Sequence, residues 1–391
     1  MVEYSWLARS AARLRRQQKE AHMQCRKSSL LAFLETEQSL IVPVYQRHYA
    51  WTSAEVQELF SDIIQVAIER RGSDKKWEHF VGSLVYVEVD DANANTQRVL
   101  VDGQQRVTTL SLLLLALATH VKDPLVRKQI QERYLLLSDK VTPKLFPVRD
   151  DRISYRQICV AAAGACTNDA MGSAGIDNSA SIPKSYGYSQ IADSYRLLCQ
   201  LVKTADSINR QYRDNKNTVV AEDVDSLGDA VSRMGLNRRV SPTEILDALQ
   251  WLTIAEISLD PELRSDNPQI VFESINAKGS PLSETDKIRN YLLMNNNLER
   301  QEYLFEHYWC PIEDRCRDEF GDDKVAHFVR YFLNWYVAPR CAVRSMGQVF
   351  LQFRRWVDAR VDNTGHMNRM IEQIWQPMID ASLRYEYLFL D

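Results

Sequence analysis

The segment that most constrains the fold covers residues 99–110 and reads Val-Leu-Val-Asp-Gly-Gln-Gln-Arg-Val-Thr-Thr-Leu. A β-branched apolar run meets Asp-Gly, two amides and an arginine, and an apolar helix pattern follows directly. This order predicts a strand, a tight polar turn and a helix N-terminus, where backbone N–H groups without helical partners favour anions. Because Asp102, Gln104, Gln105 and Arg106 fall within one turn of chain, the segment favours a nucleotide or phosphate site.

The composition is that of a soluble globular protein. The 391 residues are 45% hydrophobic and 26% charged, with a net charge of −4, and they suffice for two to three domains. No apolar run reaches the roughly 18 residues of a membrane span, and the N-terminus lacks the apolar region of a signal peptide. The seven cysteines are scattered, without zinc-ligand spacing. We therefore expect a cytoplasmic protein with no membrane partner.

Three regions follow from the patterning, and together they predict an α+β protein. Residues 1–38 form a basic helical segment that faces either a phosphate backbone or only solvent. Residues 39–150 alternate strand and helix patterns, as in a small mixed α/β domain. Residues 151–391 are predicted to be mostly helical.

Several element boundaries are predicted within these regions. The helical pattern of residues 5–36 includes a capping serine at position 28 or 29, and Thr52 with Glu55 forms a capping box. Strand patterns at 80–89 and 98–101 are separated by a turn-rich stretch and predict a hairpin. The helix after the Asp-Gly turn is predicted to reach about residue 120, and residues 144–148 form a last short strand.

A second constellation lies at residues 45–51, directly before a helix N-terminus. Tyr45, Tyr49 and Trp51 are candidates to stack on a base, and Arg47 is a candidate to pair with a phosphate beside Gln46. The alternative is that the aromatic rings anchor a strand–helix corner and the arginine satisfies a carbonyl group. Without further information the alternative is favoured.

A third constellation lies at residues 271–290. Asp286 and Arg289 share one face of a helix, and Asn276 and Lys278 precede that helix within reach of the same ligand. The alternative is a well-capped helix with a local ion pair, which the pattern by itself favours. A weaker feature is Gly82 within a strand, which is typical of close approach by a ligand or another backbone segment.

The motifs together resemble one family, the N-terminal domain of GmrSD-type restriction proteins, a relative of the ParB/sulfiredoxin fold that also occurs in SspE-like sensors of phosphorothioated DNA. The family pattern joins Gln-Arg-x-Tyr-x-Trp, Phe-x-Gly-Ser, Asp-Gly-Gln-Gln-Arg and Phe-x-x-Ile/Leu-Asn-x-x-Gly-x-x-Leu. In this chain the four motifs lie in the same order at residues 46–51, 80–83, 102–106 and 272–282. The resemblance implies a ParB/sulfiredoxin-like nucleotide-binding domain at residues 39–150.

The resemblance also implies a nucleotide-hydrolysing enzyme that accepts several triphosphates, GTP among them, and gates the cleavage of modified phage DNA. The implied catalytic residues are Asp102, Gln105 and Arg106, with Asp102 holding Mg²⁺ or orienting the attacking water. The implied nucleotide-binding residues are Gln46, Arg47, Gly103, Gln104, Asn276, Lys278 and Arg289. Tyr45, Tyr49 and Trp51 are the candidate sensors of modified DNA.

Cleavage itself is expected from an HNH-type nuclease domain or a partner chain, because this sequence contains no such histidine signature. The helical pattern continues to the last residue, which favours a natural protein that extends further or pairs with another chain. A homo-oligomer is also possible.

Two alternatives to the hydrolase remain. One is a DNA-binding switch that binds nucleotide without turnover, and the other is an interaction module in which residues 102–106 form only a structural corner.

Overall fold

The computed structural model describes residues 24–71, 77–91, 95–164, 190–214, 239–260, 267–276, 282–294, 296–316, 318–337, 343–360 and 367–389. Contacts between residues divide these into two compact units. The first takes the described residues up to Val42 and those from His48 to Asn267, and the second takes Pro43–Arg47 and those from Pro268 onward. Most of the predicted basic N-terminal segment lies outside the described residues.

The strands are β1 (Gln24–Ser29), β2 (Ser39–Ile41), β3 (His79–Asp90), β4 (Thr96–Asp102), β5 (Leu145–Phe146) and β6 (Leu252–Leu259). The helices of the first unit are α1 (Leu30–Leu34), α2 (Ser53–Glu69), α3 (Gln104–His120), α4 (Pro124–Ile130), α5 (Arg149–Gly164), α6 (Gln190–Asp214) and α7 (Pro242–Leu249). Those of the second unit are α8 (Pro268–Asn276), α9 (Glu284–Leu293), α10 (Leu298–Leu304), α11 (Cys310–Asp314), α12 (Lys324–Tyr331), α13 (Val349–Asp358), α14 (Met367–Met370) and α15 (Gln376–Phe389).

The strands of the first unit form one mixed sheet in the order β1-β6-β3-β4-β2-β5. Strands β2, β4 and β5 are mutually parallel, whereas β3 is antiparallel to β4. The carboxyl ends of the three parallel strands therefore meet at one edge, beside the beginning of β3. A mixed sheet followed by a mostly helical region confirms the α+β prediction.

The hairpin prediction is confirmed, since β3 and β4 pair from Val85 with Asp102 to Asp90 with Thr96. The predicted helix at residues 5–36 is wrong over residues 24–29, which form β1, although Ser29 does cap α1. In β1, Arg26 donates two hydrogen bonds to the buried carboxylate of Glu256 on β6, at 3.0 and 2.7 Å. Cross-strand pairing of this kind outweighs the local helix propensity of the segment.

Helix α3 is the centre of the hydrophobic core of the first unit. It begins at Gln104 and ends at His120, as predicted, and nearly every side chain from Val107 to Ala118 is buried. A helix that is apolar on all sides must be covered on all sides, and its neighbours include α4, α5, α6 and α7. None of the described helices has the length and apolarity that crossing a lipid bilayer requires.

The predicted domain boundary at residue 150 falls inside the first unit. Helices α5 and α6 pack on α3, and β6 lies between β1 and β3 in the sheet. The contact boundary lies instead at Asn267, before α8. A sequence pattern reports only whether an element is a helix or a strand, so the switch to a mostly helical region does not mark the end of a unit.

The second unit has a separate aromatic core. Trp309, Trp375, Phe328, Phe332 and Phe353 are each fully buried within it. Several of these rings lie in edge or tilted contacts, among them Phe332 with Trp356 at 4.9 Å between centroids, and such contacts stabilise a core beyond the area that they bury.

Lys144 gives the first unit a pH-dependent stability. Its ammonium group is buried and donates to the carbonyl oxygens of Leu34 at 3.1 Å and Arg133 at 2.7 Å. Burial lowers the pKa of Lys144 from its ordinary value to about 8, and the negative charges of Glu35 and Glu37 partly offset this shift by raising the pKa. Between that pKa and the ordinary pKa of lysine, the unfolded chain binds more protons than the folded chain, so stability rises with pH.

We expect the free energy of unfolding of the native chain to rise by about 2 kcal/mol from pH 8 to pH 10, relative to the variant Lys144→Met. Urea unfolding of both proteins at several pH values measures the difference. A difference that stays constant over this range would show that the buried amine keeps an ordinary pKa.

Candidate functional site

The predicted phosphate site lies at the sheet edge where the parallel strands end. Helices α2, α3 and α5 follow β2, β4 and β5 and begin at this edge, at Ser53, Gln104 and Arg149. Ligands of open α/β sheets bind outside the carboxyl ends of the strands, and helix N-termini carry partial positive charge. The topology therefore makes this edge suitable for an anion.

Gly103 makes the turn from β4 into α3. Its backbone is left-handed, with φ +89° and ψ 8°, and a Cβ atom there would lie 2.1 Å from Leu84 Cδ2 and 3.0 Å from Ser83 O. Only glycine fits this conformation and this space. A glycine N-cap also offers α3 no capping side chain, unlike Thr52, whose hydroxyl accepts from Ala54 at the start of α2. Packing against β3 thus requires the glycine, and the N-cap of α3 supplies no side-chain hydrogen bond.

Arg106 connects the first turn of α3 to β3 and β4. Its Nη1 donates to Ser83 O at 2.7 Å and to Val81 O at 3.1 Å, and its Nη2 lies 3.5 Å from Asp102 Oδ2. Burial lowers the pKa of Arg106, and the Asp102 carboxylate acts in the opposite direction. Ser83 Oγ donates to the same carboxylate oxygen at 3.4 Å. The motif therefore forms a partly buried Asp–Arg pair that is anchored on the main chain.

Gly82 allows this anchoring. Its φ is +109°, and the register between β3 and β6 shifts between Phe80 and Ser83. A Cβ atom on Gly82 would lie 2.3 Å from Arg106 Nη1. The glycine that the sequence marked as a site of close approach is thus approached by the arginine of the motif.

Gln105 holds a different part of the edge. Its Oε1 accepts from Ala50 N at 2.9 Å, and its Nε2 donates to His48 O at 3.2 Å. The side chain amide therefore acts as a main-chain clamp on residues 48–50. Both polar atoms of the Gln105 amide bind backbone groups. Its environment therefore differs from the one that the predicted catalytic role implies.

Asp151, near the start of α5, holds the same segment from another side. Its Oδ2 accepts from Tyr49 N at 2.6 Å and lies 3.9 Å from His48 Nδ1. The carboxylate is buried, whereas the His48 side chain is 47% exposed. None of the four sequence motifs includes Asp151. The available signal was the acidic pair at residues 150–151, close after the predicted strand at 144–148.

The three candidate DNA-sensing rings differ in exposure. Tyr45 and Tyr49 are buried, burial raises the pKa of both hydroxyls, and Tyr49 Oη lies 2.8 Å from Thr109 Oγ1. Trp51 is half-buried against the core of the first unit. In this conformation the tyrosine rings serve as packing anchors, the alternative that the sequence analysis favoured.

The remaining predicted residues are divided between the units. Gln104 is buried at the start of α3. Gln46, Arg47 and Arg289 belong to the second unit, where Arg289 Nε donates to Tyr45 O at 3.1 Å and its guanidinium pairs with Asp286. This pairing matches the local ion pair weighed as the alternative. The Asn276 side chain and the whole of Lys278 lie outside the described residues.

No group of three or more His, Cys, Asp or Glu side chains suited to a metal occurs among the described residues. A magnesium ion that arrives with a nucleotide needs fewer protein ligands, since it keeps waters and phosphate oxygens and binds through one or two carboxylates. The Asp102 carboxylate beside the Ser83 hydroxyl fits that requirement.

A family model described as the GmrSD restriction endonuclease, N-terminal domain, matches residues 30–293. The match covers more than half of the chain and contains all four motifs, so the chain belongs to this family. A search of curated proteins finds no significant match. Family membership makes the chain a component of a DNA restriction system and confirms the resemblance deduced from the motifs.

The variant Gly82→Ala is expected to lower the free energy of unfolding by about 1–3 kcal/mol, because alanine is strained at this positive φ and its methyl group displaces the Arg106 guanidinium. Gly347→Ala is the matched control, since a Cβ atom there would contact nothing within 4 Å. Urea unfolding compares the two. Equal stability of both variants would contradict the anchoring of Arg106 beside Gly82.

Proposed function

We propose that the first unit binds a nucleoside triphosphate at the start of α3 and hydrolyses it, and that turnover regulates restriction of modified DNA. The observation that carries this proposal is the Asp102–Arg106 pair, 3.5 Å apart and flanking the left-handed Gly103 at the beginning of a long helix. An arginine, a carboxylate and a helix N-terminus are the groups that phosphoryl transfer requires for positioning and charge stabilisation. Membership of a restriction family supports the biological part of the proposal.

The residues of the motif receive distinct proposed roles. Gly103 and Gln104 let the phosphate approach the first turn of α3, where the helix dipole favours negative charge. Arg106 stabilises the charge that develops on the transferred phosphate while Val81 and Ser83 hold its guanidinium in place. Gln105 contributes by holding residues 48–50 at the site, rather than by touching the phosphate.

Asp102 is the proposed ligand of Mg²⁺, with Ser83 beside it. When bound, the ion would neutralise phosphate charge during the transfer. Asp102 also holds Arg106 in its orientation, so the carboxylate links the two charged groups of the site.

Restriction of DNA also needs recognition of the DNA and a nuclease that cleaves it. We propose that modified phage DNA stimulates turnover, that Trp51 is the best placed of the three candidate rings to contact it, and that an HNH-type domain or partner chain cleaves it. For Gln46, Arg47, Asn276, Lys278 and Arg289, nucleotide binding stays a prediction from the family resemblance alone. Cytoplasmic location and a homo-oligomeric state also stay predictions.

The native chain is expected to release phosphate from GTP, ATP or UTP in the presence of Mg²⁺, and Asp102→Asn is expected to reduce the rate about 100-fold or more. The substitution removes the charge of the carboxylate and keeps its shape, so the ion and Arg106 both lose their partner. Glu58→Gln, an exposed carboxylate on α2, is the matched control. Phosphate release is measured with and without modified phage DNA.

Nucleotide binding by calorimetry and circular dichroism accompany the measurement. Tight binding without phosphate release by a folded native chain would reject hydrolysis and support the nucleotide-binding switch instead. Retention of full activity by Asp102→Asn would place the reacting phosphate elsewhere.

A further inference from the structure

A histidine–carboxylate pair lies at the same sheet edge and has no role in the motif-based assignment. His48 occupies the variable position of Gln-Arg-x-Tyr-x-Trp, so the resemblance assigns it nothing. Its Nδ1 lies 3.9 Å from Asp151 Oδ2, and the carboxylate is buried while the imidazole is about half exposed. A partly exposed base oriented by a buried acid is the arrangement that activates water and hydroxyl nucleophiles in many enzymes.

The backbone that carries the imidazole is held on both sides. Gln105 binds the carbonyl group of His48 and the N–H group of Ala50, and Asp151 binds the N–H group of Tyr49. Tyr49 is itself buried, with its hydroxyl beside Thr109 of α3. A side chain on such a segment keeps its position without a loop closure, which is the preorganisation that a catalytic base needs.

A hydrogen bond also connects residues 48–50 to the proposed phosphate site. Gln105 lies in the first turn of α3, directly before Arg106, and its side chain spans to His48 O at 3.2 Å. Asp151 lies in the first turns of α5, which begins at the same edge of the sheet. His48 is therefore connected to the helix N-terminus that would receive the phosphate through a single side chain.

We propose that His48 is the general base for the nucleotide hydrolysis and that Asp151 is its positioning residue. This inference rests on the proposed function. The water oxygen forms a bond to the γ-phosphorus, and the water proton passes to Nε2 of the imidazole. The bond between the γ-phosphorus and the bridging oxygen breaks, which leaves a nucleoside diphosphate and inorganic phosphate. The imidazole then returns its proton to solvent, and Asp151 stabilises the imidazolium that forms.

The Nδ1–Oδ2 distance of 3.9 Å exceeds that of a hydrogen bond. Catalytic hydrogen bonds are often longer in the free enzyme than in the reacting complex. A carboxylate behind the ring stabilises the imidazolium both in a general base and in a phosphate-binding histidine, so kinetics must distinguish the two roles. Loss of a base lowers the maximal rate, whereas loss of a phosphate ligand raises KM.

The test measures phosphate release by His48→Ala at saturating nucleotide and Mg²⁺. We expect kcat to fall about 100-fold, with KM and nucleotide affinity unchanged. Added imidazole should restore at least a tenth of the native kcat, because the exposed side of the ring leaves room for it. His307→Ala is the matched control, since His307 is exposed on the second unit and stacks on Tyr303.

Asp151→Asn provides the second variant. An asparagine oxygen still accepts from Tyr49 N, so the fold is retained while the charge behind the imidazole is lost. We expect kcat to fall about tenfold or more, and we expect the double variant with His48→Ala to be no slower than His48→Ala alone. Thermal unfolding of both variants checks that the 48–50 segment keeps its packing.

The outcomes separate this inference from the proposed function. Full activity of His48→Ala, or an increase in KM with unchanged kcat, would overturn the base assignment while leaving hydrolysis by Asp102 and Arg106 in place. A fall in kcat that imidazole does not restore would also overturn it, since a merely structural loss is not rescued. Absence of phosphate release by the native chain would overturn both.

Discussion

The anchoring of Arg106 on the main chain of β3 is the interaction on which the rest of the site depends. The guanidinium donates hydrogen bonds to the carbonyl groups of Val81 and Ser83, and its other terminal nitrogen lies 3.5 Å from the Asp102 carboxylate. An arginine that is more than half desolvated needs such partners, because an unsatisfied buried charge is costly. Gly82 is required for the same reason, since a Cβ atom there would lie 2.3 Å from Arg106 Nη1, whereas a Cβ atom on Gly103 would clash with Leu84.

The first turn of α3 organises two neighbouring segments at once. Successive residues on a helix point in directions about 100° apart, so Gln105 and Arg106 reach different parts of the sheet edge. Arg106 holds the bulged part of β3, and Gln105 holds residues 48–50 after β2. The motif is therefore as much a structural junction as a candidate site. The contacts of residues 102–106 therefore fit a structural corner, and the same contacts also fit the proposed phosphate site.

Predictions from local patterns succeeded where the controlling interactions are local. The boundaries of α3, the Thr52–Glu55 capping box and the β3–β4 hairpin depend on apolar periodicity, caps and turn residues close in sequence. The predictions failed at β1 and did not anticipate β6. These strands depend on each other across more than 200 residues, through contacts such as Arg26 with Glu256. Asp151 was missed for a related reason, because its partner Tyr49 lies 102 positions away.

The sequence by itself determined the strand–turn–helix at residues 99–120, the need for glycine in its turn and the family to which the chain belongs. These follow from residue types at short spacing, which carry their own conformational preferences. Only the tertiary structure decided what the motif side chains touch. It assigned Gln105 to a backbone clamp, buried Tyr45 and Tyr49, and brought Asp151 to His48. The physical reason is that hydrogen bonds and burial between distant segments depend on strand order, which no local pattern of residues specifies.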